Sequence, residues 1–394
     1  MLRRVYLDNS ATTQCDPLVI EAMMPYLTDK FGNASSIHQF GQETRSAVDR
    51  ARHQVAAALN ARPNEIIFTS GGTESNNLAI RGLIENVLTK DPERPPHIIT
   101  STIEHPAVKE VCSDLEAKET QVTYLPVSEN GLVSVEAVAD AVRENTALIS
   151  IMAANNEIGT LQAVPEIGRL VKQIRSQGRK IWFHTDAVQA FGKVPIDVEE
   201  IGCDLLSISA HKIHAPKGIG ALYVRRGVRL HPQNIGGRQQ RGVRAGTEPV
   251  ALIVSIGKAA ELAMEKLHEM DQRIRQLRDR MEDQILENIN GAVLNGERTY
   301  RLPNISNISF RGVEGEALLI NLDMNGIAVS TGAACSSGSL EPSPVIRALG
   351  RDDELARGAI RFSLGRFNEE TDVDKLLEIL PKAVSNLREL SVRA

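Results

Sequence analysis

Lys212 is the side chain in this sequence that is best placed for covalent chemistry. It belongs to the segment Ser-Ala-His-Lys at 209–212, directly after an alternating apolar run, 204–209, that predicts a strand. In open α/β sheets, ligands bind at the carboxyl ends of the strands, and a lysine amine forms Schiff bases once its pKa is lowered. A solvated surface lysine is the common alternative, so the prediction depends on what other strand ends bring to Lys212.

A second predicted strand ends on an acid. The segment 180–189 reads Lys-Ile-Trp-Phe-His-Thr-Asp-Ala-Val-Gln, which places Asp186 at the strand end and Gln189 three residues later. A carboxylate buried against a sheet end is costly unless it meets a cation or several donors. We therefore expect Asp186 and Gln189 to face one ligand, on a strand beside that of Lys212.

A glycine turn follows the predicted strand 65–70. Gly72 and Thr73 open a helix there, an arrangement that presents backbone N–H groups and the helix dipole to a phosphate. The spacing fits neither the dinucleotide nor the Walker pattern. A plain capped turn explains this segment equally well.

Three further polar residues lie at predicted strand ends or inside a strand. His105 precedes a helix that Pro106 can open, where a capping or surface role is the usual one. Asn155 follows the strand 147–152, and turn chemistry alone would account for it. Arg361 lies inside an apolar strand, so its guanidinium needs a carboxylate or phosphate partner.

Cys335 differs from the other cysteines. Its segment, 331–339, contains only Thr, Gly, Ala, Cys and Ser, so we expect a mobile, exposed loop whose thiol is reactive. Cys15, Cys112 and Cys203 are scattered and form no CxxC pair, which argues against a disulfide framework or a zinc site. Cys112 and Cys203 have apolar neighbours and are predicted to be small core residues.

Length and composition indicate an ordinary globular protein with two domains. The chain has 394 residues, of which 42% are hydrophobic and 24% charged. The net charge of −5 gives no reason to expect a nucleic-acid or membrane-surface partner, and no apolar run approaches the ~20 residues of a membrane helix. We expect no signal or transit peptide and a cytoplasmic location.

The element pattern predicts an α/β fold. Strands alternate with helices from about residue 17 to 250, which is typical of βαβ units in a mostly parallel sheet with helices on both faces. The helical pattern over 251–289 is interpreted as two helices or one bent helix that links the domains. The remainder is predicted to be a smaller α+β domain.

Taken together, the polar strand ends describe one cofactor. A lysine for an imine, an acid for a pyridinium nitrogen and a glycine-threonine turn for a phosphate are what pyridoxal 5′-phosphate requires.

The chain resembles the cysteine desulfurases of the NifS/IscS type, in the class V aminotransferase group of the type I pyridoxal-phosphate fold. The resemblance covers nearly the whole chain. It rests on Ser-Gly-Gly-Thr-Glu-Ser-Asn-Asn at 70–77, Glu-His-Pro-Ala-Val at 104–108, Asn-Asn-Glu-Ile-Gly at 155–159, His-Thr-Asp-Ala-Val-Gln at 184–189 and Ser-Ala-His-Lys at 209–212. It implies a large cofactor-binding domain, 15–260, and a small domain made of 1–14 and 261–394 that carries the Cys335 loop.

The resemblance also implies a role for each site residue. Lys212 would form the Schiff base and act as general base, Cys335 would accept the sulfur, and His105 would stack on the ring; these three are the predicted catalytic residues. Asp186 would pair with the pyridine nitrogen and Gln189 with the phenolic oxygen. The cofactor phosphate would be held by Gly72, Thr73, Ser209, His211 and, from a partner subunit, Thr247. The substrate carboxylate would be held by Asn155 and Arg361, and Asn155 would also contact the cofactor.

The implied reaction is the removal of sulfur from L-cysteine, which yields L-alanine and a persulfide on Cys335. The resemblance further implies a homodimer, transfer of the sulfur to an iron–sulfur scaffold or another acceptor protein, and Cys335 as a transient iron–sulfur ligand. An aminotransferase, a selenocysteine lyase and a non-catalytic interaction protein of the same fold are the alternatives. Three segments depart from the family pattern: Ala215 replaces a glycine, Arg238 and Gln240 replace a glycine and a glutamate, and the Cys335 loop reads Thr-Gly-Ala-Ala-Cys-Ser-Ser at 331–337.

Overall fold

The computed structural model describes residues 3–331 and 342–393. Its strands are β1 (Val5–Tyr6), β2 (Ile66–Thr69), β3 (His97–Ser101), β4 (Gln121–Leu125), β5 (Thr146–Ser150), β6 (Trp182–Asp186), β7 (Leu205–Ser209), β8 (Gly220–Val224), β9 (Ala292–Asn295), β10 (Ile305–Phe310), β11 (Ile327–Ala328) and β12 (Ala359–Ser363). Its helices are α1 (Pro17–Met23), α2 (Gln39–Ala58), α3 (Gly72–Lys90), α4 (Pro106–Glu116), α5 (Val135–Asp140), α6 (Val164–Ser176), α7 (Val198–Ile201), α8 (Val250–Glu265), α9 (Leu267–Asn288), α10 (Gly315–Met324), α11 (Pro344–Ala348), α12 (Asp353–Arg357) and α13 (Glu370–Arg393).

A seven-stranded sheet lies at the centre of the molecule, in the order β2-β8-β7-β6-β5-β3-β4. The strands β4, β3, β5, β6 and β7 pair in parallel. Strand β8 runs opposite to the other six strands of this sheet, because it pairs antiparallel with both β2 and β7. The predicted mostly parallel α/β sheet is confirmed.

Helices cover both faces of this sheet. Neighbouring residues of one strand join different cores: Ile149 packs in a core with α2, α6 and α8, whereas Leu148 packs in a core with α3 and α4. Since successive side chains of a strand point to opposite faces, a sheet buried on both faces reads as a continuous apolar run. This burial explains the continuous apolar run over residues 66–68 of β2, whereas β7 alternates with Ser207 and Ser209, which are buried as well.

The region after α8 builds a smaller layer. Strands β12, β10 and β9 form an antiparallel sheet, and β1 pairs with β11. A third core joins Val5 and Leu7 to α9, α10 and α13. The domain boundaries predicted from the sequence stay a prediction.

The long helical pattern over 251–289 is two helices, as one of the two interpretations has it. Helix α8 ends at Glu265 and α9 begins at Leu267, with Lys266 between them in a non-helical conformation. Among the helices of the described residues, none is long and apolar enough to cross a membrane.

Candidate active site

Lys212 lies where the sequence predicts it, just past the end of β7. Residues Ala210–Lys212 form a single 3-10 turn after the strand. The Lys212 amine donates to the backbone oxygens of Ser10 and of Ala11, the latter at 2.7 Å. The segment that follows β1 therefore crosses over the end of the central sheet and contacts the lysine.

Asp186 ends β6, the parallel neighbour of β7. It is only 6% exposed, and its carboxylate accepts from the Asn76 side-chain amide at 2.7 Å and from the backbone N–H of Val188 at 2.9 Å. These two donors hold the carboxylate in place at the sheet edge. The Oδ1 atom of Asn76 is buried and has no hydrogen-bond partner within the described part of the chain.

One cavity of about 260 Å³ collects most of the predicted site. The predicted residues that line it are Gly72, Thr73, His105, Asp186, Gln189, Ser209, His211, Lys212 and Arg361. Eight of them lie at or just after the ends of β2, β3, β6 and β7, so the strand order of the central sheet gathers these eight, whereas Arg361 comes from the middle of β12 in the small antiparallel sheet. The roles implied for each of them remain predictions.

The start of α3 forms an open cradle at one end of the cavity. A Cβ atom on Gly72 would lie 2.7 Å from Val188 Cγ2 and 3.5 Å from Ser209 Cβ, so a larger residue does not fit there without a shift. No side chain caps the helix at Gly71. The N–H groups of the first turn are therefore available to bind an anion such as a phosphate.

His105 caps the helix α4 and also lines the cavity. Its Nδ1 atom accepts from the backbone N–H of Ala107 at 3.1 Å, so the hydrogen of the neutral ring is on Nε2. Burial lowers the pKa of His105; the charge of Asp186 opposes this and the charge of Lys212 adds to it. The ring is thus kept neutral, as suits stacking on another ring.

His211 is a second histidine with a weakened basicity. Burial, followed by the charges of Lys212, Lys217 and Lys193, lowers its pKa to about 4. Its Nδ1 atom lies 3.2 Å from the hydroxyl of Thr12. A neutral His211 can donate one hydrogen bond to an anion without adding charge.

Arg361 has an acidic partner that the sequence did not reveal. Its guanidinium donates to Asp8 Oδ1 at 2.7 Å and to the backbone oxygen of Asn156 at 2.9 Å. The side chain is 3% exposed, and its Nε atom has no partner within residues 3–331 and 342–393. Since Arg361 lines the cavity, this donor can serve a carboxylate there.

Two predicted site residues, Asn155 and Thr247, do not line the cavity, and a third, Cys335, is not among the described residues. The Asn155 side chain is fully buried and donates to the backbone oxygen of Ile103, while its Oδ1 accepts from Glu157 and Ile158; it does not line the cavity, whereas Asn156 does. Thr247 is exposed and outside the cavity. Cys335 and its loop, apart from Thr331, lie outside the described residues.

The other cysteines behave as predicted core residues. Cys112 and Cys203 are fully buried, and burial raises the pKa of both thiols, that of Cys112 to about 12. Both thiols therefore stay protonated and unreactive near neutral pH.

Sequence reasoning missed a buried acid next to the site. Glu104 ends the turn after β3, and its Oε1 accepts from Ser101 Oγ and from the backbone N–H of Met152, both at 2.9 Å. Burial, together with the smaller effect of the nearby Asp186 charge, raises its pKa to about 8. The signal was the Glu-His-Pro motif itself, in which only the histidine was interpreted.

The departures from the family pattern at Ala215 and at Arg238 and Gln240, which lie among the described residues, are accommodated in different ways. The left-handed backbone near Lys212 occurs at His214, with φ 67°, and not at Ala215, so an alanine is accommodated without strain. Gln240 is buried; its side-chain oxygen accepts from Phe68 N at 2.9 Å and from Arg52 at 3.1 Å, and its amide donates to Glu248. Gln240 is therefore hydrogen-bonded into the interior, and it lines a separate, open surface cavity together with Arg238.

The set of groups in the cavity fits pyridoxal phosphate. It contains an amine, a carboxylate held by two donors, two histidines with lowered pKa values and an anion-binding helix start. The uncapped start of α3 and the Oδ1 atom of Asn76, which has no hydrogen-bond partner in the described part of the chain, are further polar groups that a bound cofactor could contact.

Comparison with known proteins agrees with this chemistry. The sequence profile described as Aminotransferase class-V matches residues 5–376. The protein named cysteine desulfurase IscS from Dictyoglomus turgidum is 49% identical over 391 residues, which cover 99% of this chain and 97% of that relative.

Two solved structures share the fold over nearly the whole chain. A NifS-like protein superposes with a TM-score of 0.88 at 37% identity and covers 100% of both chains. A structure described as SspA in complex with cysteine has a TM-score of 0.80 at 36% identity, and the match covers 93% of this chain and 100% of that one.

Proposed function

This chain belongs to the class-V aminotransferase family, and from that premise we propose that it is a cysteine desulfurase. It uses pyridoxal 5′-phosphate to remove sulfur from L-cysteine, with L-alanine and a persulfide on Cys335 as products. The observation that carries the proposal is the convergence of Lys212, Asp186 and Arg361 on one cavity. The names of the relatives, and the bound cysteine of one solved structure, support the choice of substrate.

We assign the cofactor contacts as the resemblance implies them. Lys212 would hold the cofactor covalently, Asp186 would pair with its ring nitrogen, and His105 would stack on its ring. Gln189 would donate to the phenolic oxygen. The phosphate would be held at the start of α3, near Gly72, Thr73, Ser209 and His211, where helix N–H groups and neutral donors favour an anion.

Pyridoxal phosphate, when bound, supplies an electron-accepting ring that weakens the bonds at the substrate Cα and Cβ. The chain then has to place the substrate and move protons. Arg361 binds the substrate carboxylate, and the Lys212 amine takes the proton from Cα as general base. The segment of Ser10 and Ala11, whose oxygens accept from Lys212, keeps this amine at the edge of the sheet.

Cys335 takes the sulfur. Its thiolate attacks the sulfur of the substrate, an S–S bond forms, and the Cβ–S bond breaks with its electron pair passing to the carbon fragment. Protonation at Cβ then gives alanine. A loop of Gly, Ala and Ser suits a thiol that has to enter the cavity and leave it again with the sulfur.

We also propose that the protein is a homodimer in which Thr247 serves the partner's site. It is a cytoplasmic enzyme that passes its sulfur to an iron–sulfur scaffold or a similar acceptor. Cys335 is then a transient ligand of an iron–sulfur cluster. Support for the dimer comes from the exposure of Thr247 and from apolar side chains exposed between residues 18 and 40. Support for the acceptor comes from the IscS names of the relatives.

The direct test is an assay of alanine and sulfide released from L-cysteine in the presence of a thiol reductant. We expect equal amounts of both products. Cys335→Ala should abolish sulfide release while the visible absorption of the bound cofactor stays, because Cys335 is not a cofactor contact. Cys15→Ala, which changes a half-buried thiol outside the cavity, is the matched control and should keep the activity.

Two results would contradict the proposal. Consumption of cysteine that needs a 2-oxo acid and survives Cys335→Ala would indicate an aminotransferase. Release of selenide from selenocysteine, without sulfide from cysteine, would indicate a selenocysteine lyase.

A further inference from the structure

Lys193 contacts the Gln189 side chain but does not itself line the cofactor cavity. Its Nζ atom donates to Gln189 Oε1 at 2.9 Å and to the backbone oxygen of Gln189 at 3.0 Å. We propose that Lys193 is a positioning residue that holds the Gln189 carboxamide with its NH₂ group toward the cofactor.

The backbone between the two residues sets this contact. After β6 the chain makes successive turns, with Ala190 N bonded to Ala187 O and Lys193 N bonded to Ala190 O, both at 3.0 Å. Gly192 has φ 74°, a conformation that favours glycine, and a Cβ atom there would lie 2.7 Å from Ile213 Cγ2. The turn therefore returns Lys193 beneath Gln189.

The chemistry of the two groups decides the amide orientation. A carboxamide has one oxygen that accepts and one nitrogen that donates, and a lysine ammonium only donates. While Lys193 carries its proton, the Gln189 oxygen must therefore face it, which leaves the nitrogen to face the other way. The structure shows this arrangement: Gln189 Nε2 donates to the backbone oxygen of Ser10 at 2.9 Å, the same oxygen that accepts from Lys212.

Lys193 does not line the cofactor cavity itself. It lines a second cavity, together with Thr13, Ile213 and Arg366. Burial lowers the pKa of Lys193 to about 7, and the charges of Lys212 and Arg361 add to this. Even the neutral amine keeps two N–H groups, one for each oxygen that it contacts. Its effect on the cofactor should therefore pass through Gln189.

The inference rests on the proposed contact of Gln189 with the phenolic oxygen of the cofactor. That oxygen carries negative charge and needs a donor. A hydrogen-bond donor takes up part of the negative charge of this oxygen. The oxygen then stabilises the protonated Lys212 nitrogen, bonded to the cofactor, less strongly, so this nitrogen loses its proton at a lower pH. An inverted amide would present lone pairs to the oxygen, so the Lys212 nitrogen would keep its proton to a higher pH.

The test is a pH titration of the visible absorption of the bound cofactor in the holoenzyme. Lys193→Met should raise the pH midpoint by about one to two units, the size expected when a charge-assisted hydrogen bond is lost. Lys193→Arg keeps the donors and should restore a midpoint close to that of the unmodified protein. Lys172→Met, at an exposed lysine of α6, is the matched control and should leave the midpoint unchanged.

A double variant separates the proposed route from a direct charge effect. Gln189→Ala alone should raise the midpoint, and Lys193→Met added to Gln189→Ala should raise it no further. An equal effect of Lys193→Met with and without Gln189 would overturn the inference, because Lys193 would then act by its charge. No shift for Lys193→Met alone would also overturn it.

The outcomes distinguish this inference from the proposed function. If Gln189→Ala shifts the midpoint and Lys193→Met does not, only the role of Lys193 fails. If Gln189→Ala has no effect, the proposed cofactor contact of Gln189 is wrong as well. Should Lys193→Met not fold, Lys193→Gln replaces it, since a second carboxamide can donate or accept and no longer forces one orientation; the midpoint should again rise.

Discussion

Glu104 lies next to His105 with one carboxyl oxygen, Oε2, that has no partner in the described part of the chain. Burial raises its pKa from 4.5 to about 8, so the folded protein holds a proton there that the unfolded chain releases. A group whose folded pKa is raised in this way costs stability as the pH rises between these two values. At neutral pH the Glu104 carboxyl is therefore mostly protonated and uncharged.

We predict that Glu104→Gln removes this pH dependence. Glutamine keeps the acceptor oxygen for Ser101 and Met152 and is neutral at every pH. Between about pH 4.5 and 8 the unmodified protein should lose up to about 1.4 kcal/mol per pH unit relative to the variant. Urea unfolding at pH 5, 6.5 and 8 measures the difference, and the exposed Glu129→Gln is the control; curves that stay parallel would contradict the neutral acid.

Arg361 gives a second prediction at the residue scale. Its bonds to Asp8 and Asn156 orient the guanidinium, and its Nε remains for a ligand. Lysine cannot reproduce this planar set of donors. Arg361→Lys should therefore raise the KM for cysteine by about 10- to 100-fold, the loss of one charge-assisted pair, with a smaller effect on kcat.

The measurement is steady-state alanine formation by holoenzyme with an unchanged cofactor absorption. Arg357→Lys, at an exposed position of α12, is the control for the loss of a surface guanidinium. A lowered kcat with an unchanged KM would show that Arg361 does not bind the substrate carboxylate.

At the scale of elements, two crossover helices set the positions of the catalytic strands. Helix α6 leads into β6, which carries Asp186, and α7 leads into β7 and Lys212. The helices meet at Gly168, where an added Cβ atom would overlap the backbone oxygen of Ile201 and lie 2.9 Å from its carbonyl carbon. Backbone atoms cannot yield as a flexible side chain can.

Gly168→Ala should therefore push α6 away from α7. We expect a loss of about 1–3 kcal/mol in the free energy of unfolding, the usual cost of overpacking, together with weaker cofactor binding. Thermal unfolding measures the stability. Lys172→Ala, on the exposed face of the same helix, is the control; equal stability of the two variants would mean that this contact relaxes freely.

At the scale of the whole molecule, exposed apolar side chains concentrate between residues 18 and 40. They are Leu18, Ile20, Met24, Leu27, Phe31, Ile37 and Phe40, and Ile37 is 90% exposed. Monomeric proteins rarely expose so much apolar surface in one region, which favours a subunit contact there. The proposed homodimer would bury this segment.

Ile37→Asp should convert the dimer to a monomer, because a carboxylate in a subunit contact is left without a partner. Sedimentation velocity measures the mass, and cofactor affinity should fall with it if Thr247 serves the neighbouring site. Ile320→Asp, at an exposed position of α10 remote from this segment in sequence, is the control. A monomeric unmodified protein with full activity would contradict the shared site.

The amino-acid sequence by itself determined which residues end the central strands. The strand predicted over 204–209 is β7 (Leu205–Ser209), and Lys212 and Asp186 lie at strand ends, because the apolar run that defines a buried strand stops where polar residues begin. Such patterns are local, so they predict elements well. For residues 251–289 they left two helices and one bent helix as alternatives, and they did not place the break at Lys266.

Only the tertiary structure decided which polar groups meet. Asp8 pairs with Arg361 across 353 residues of chain, and Asn76 holds Asp186 across 110. The orientation of the Gln189 amide depends on Lys193, and the burial of Glu104 depends on packing around it. Hydrogen-bond partners and pKa values follow from strand order and burial, and no local spacing in the sequence encodes either.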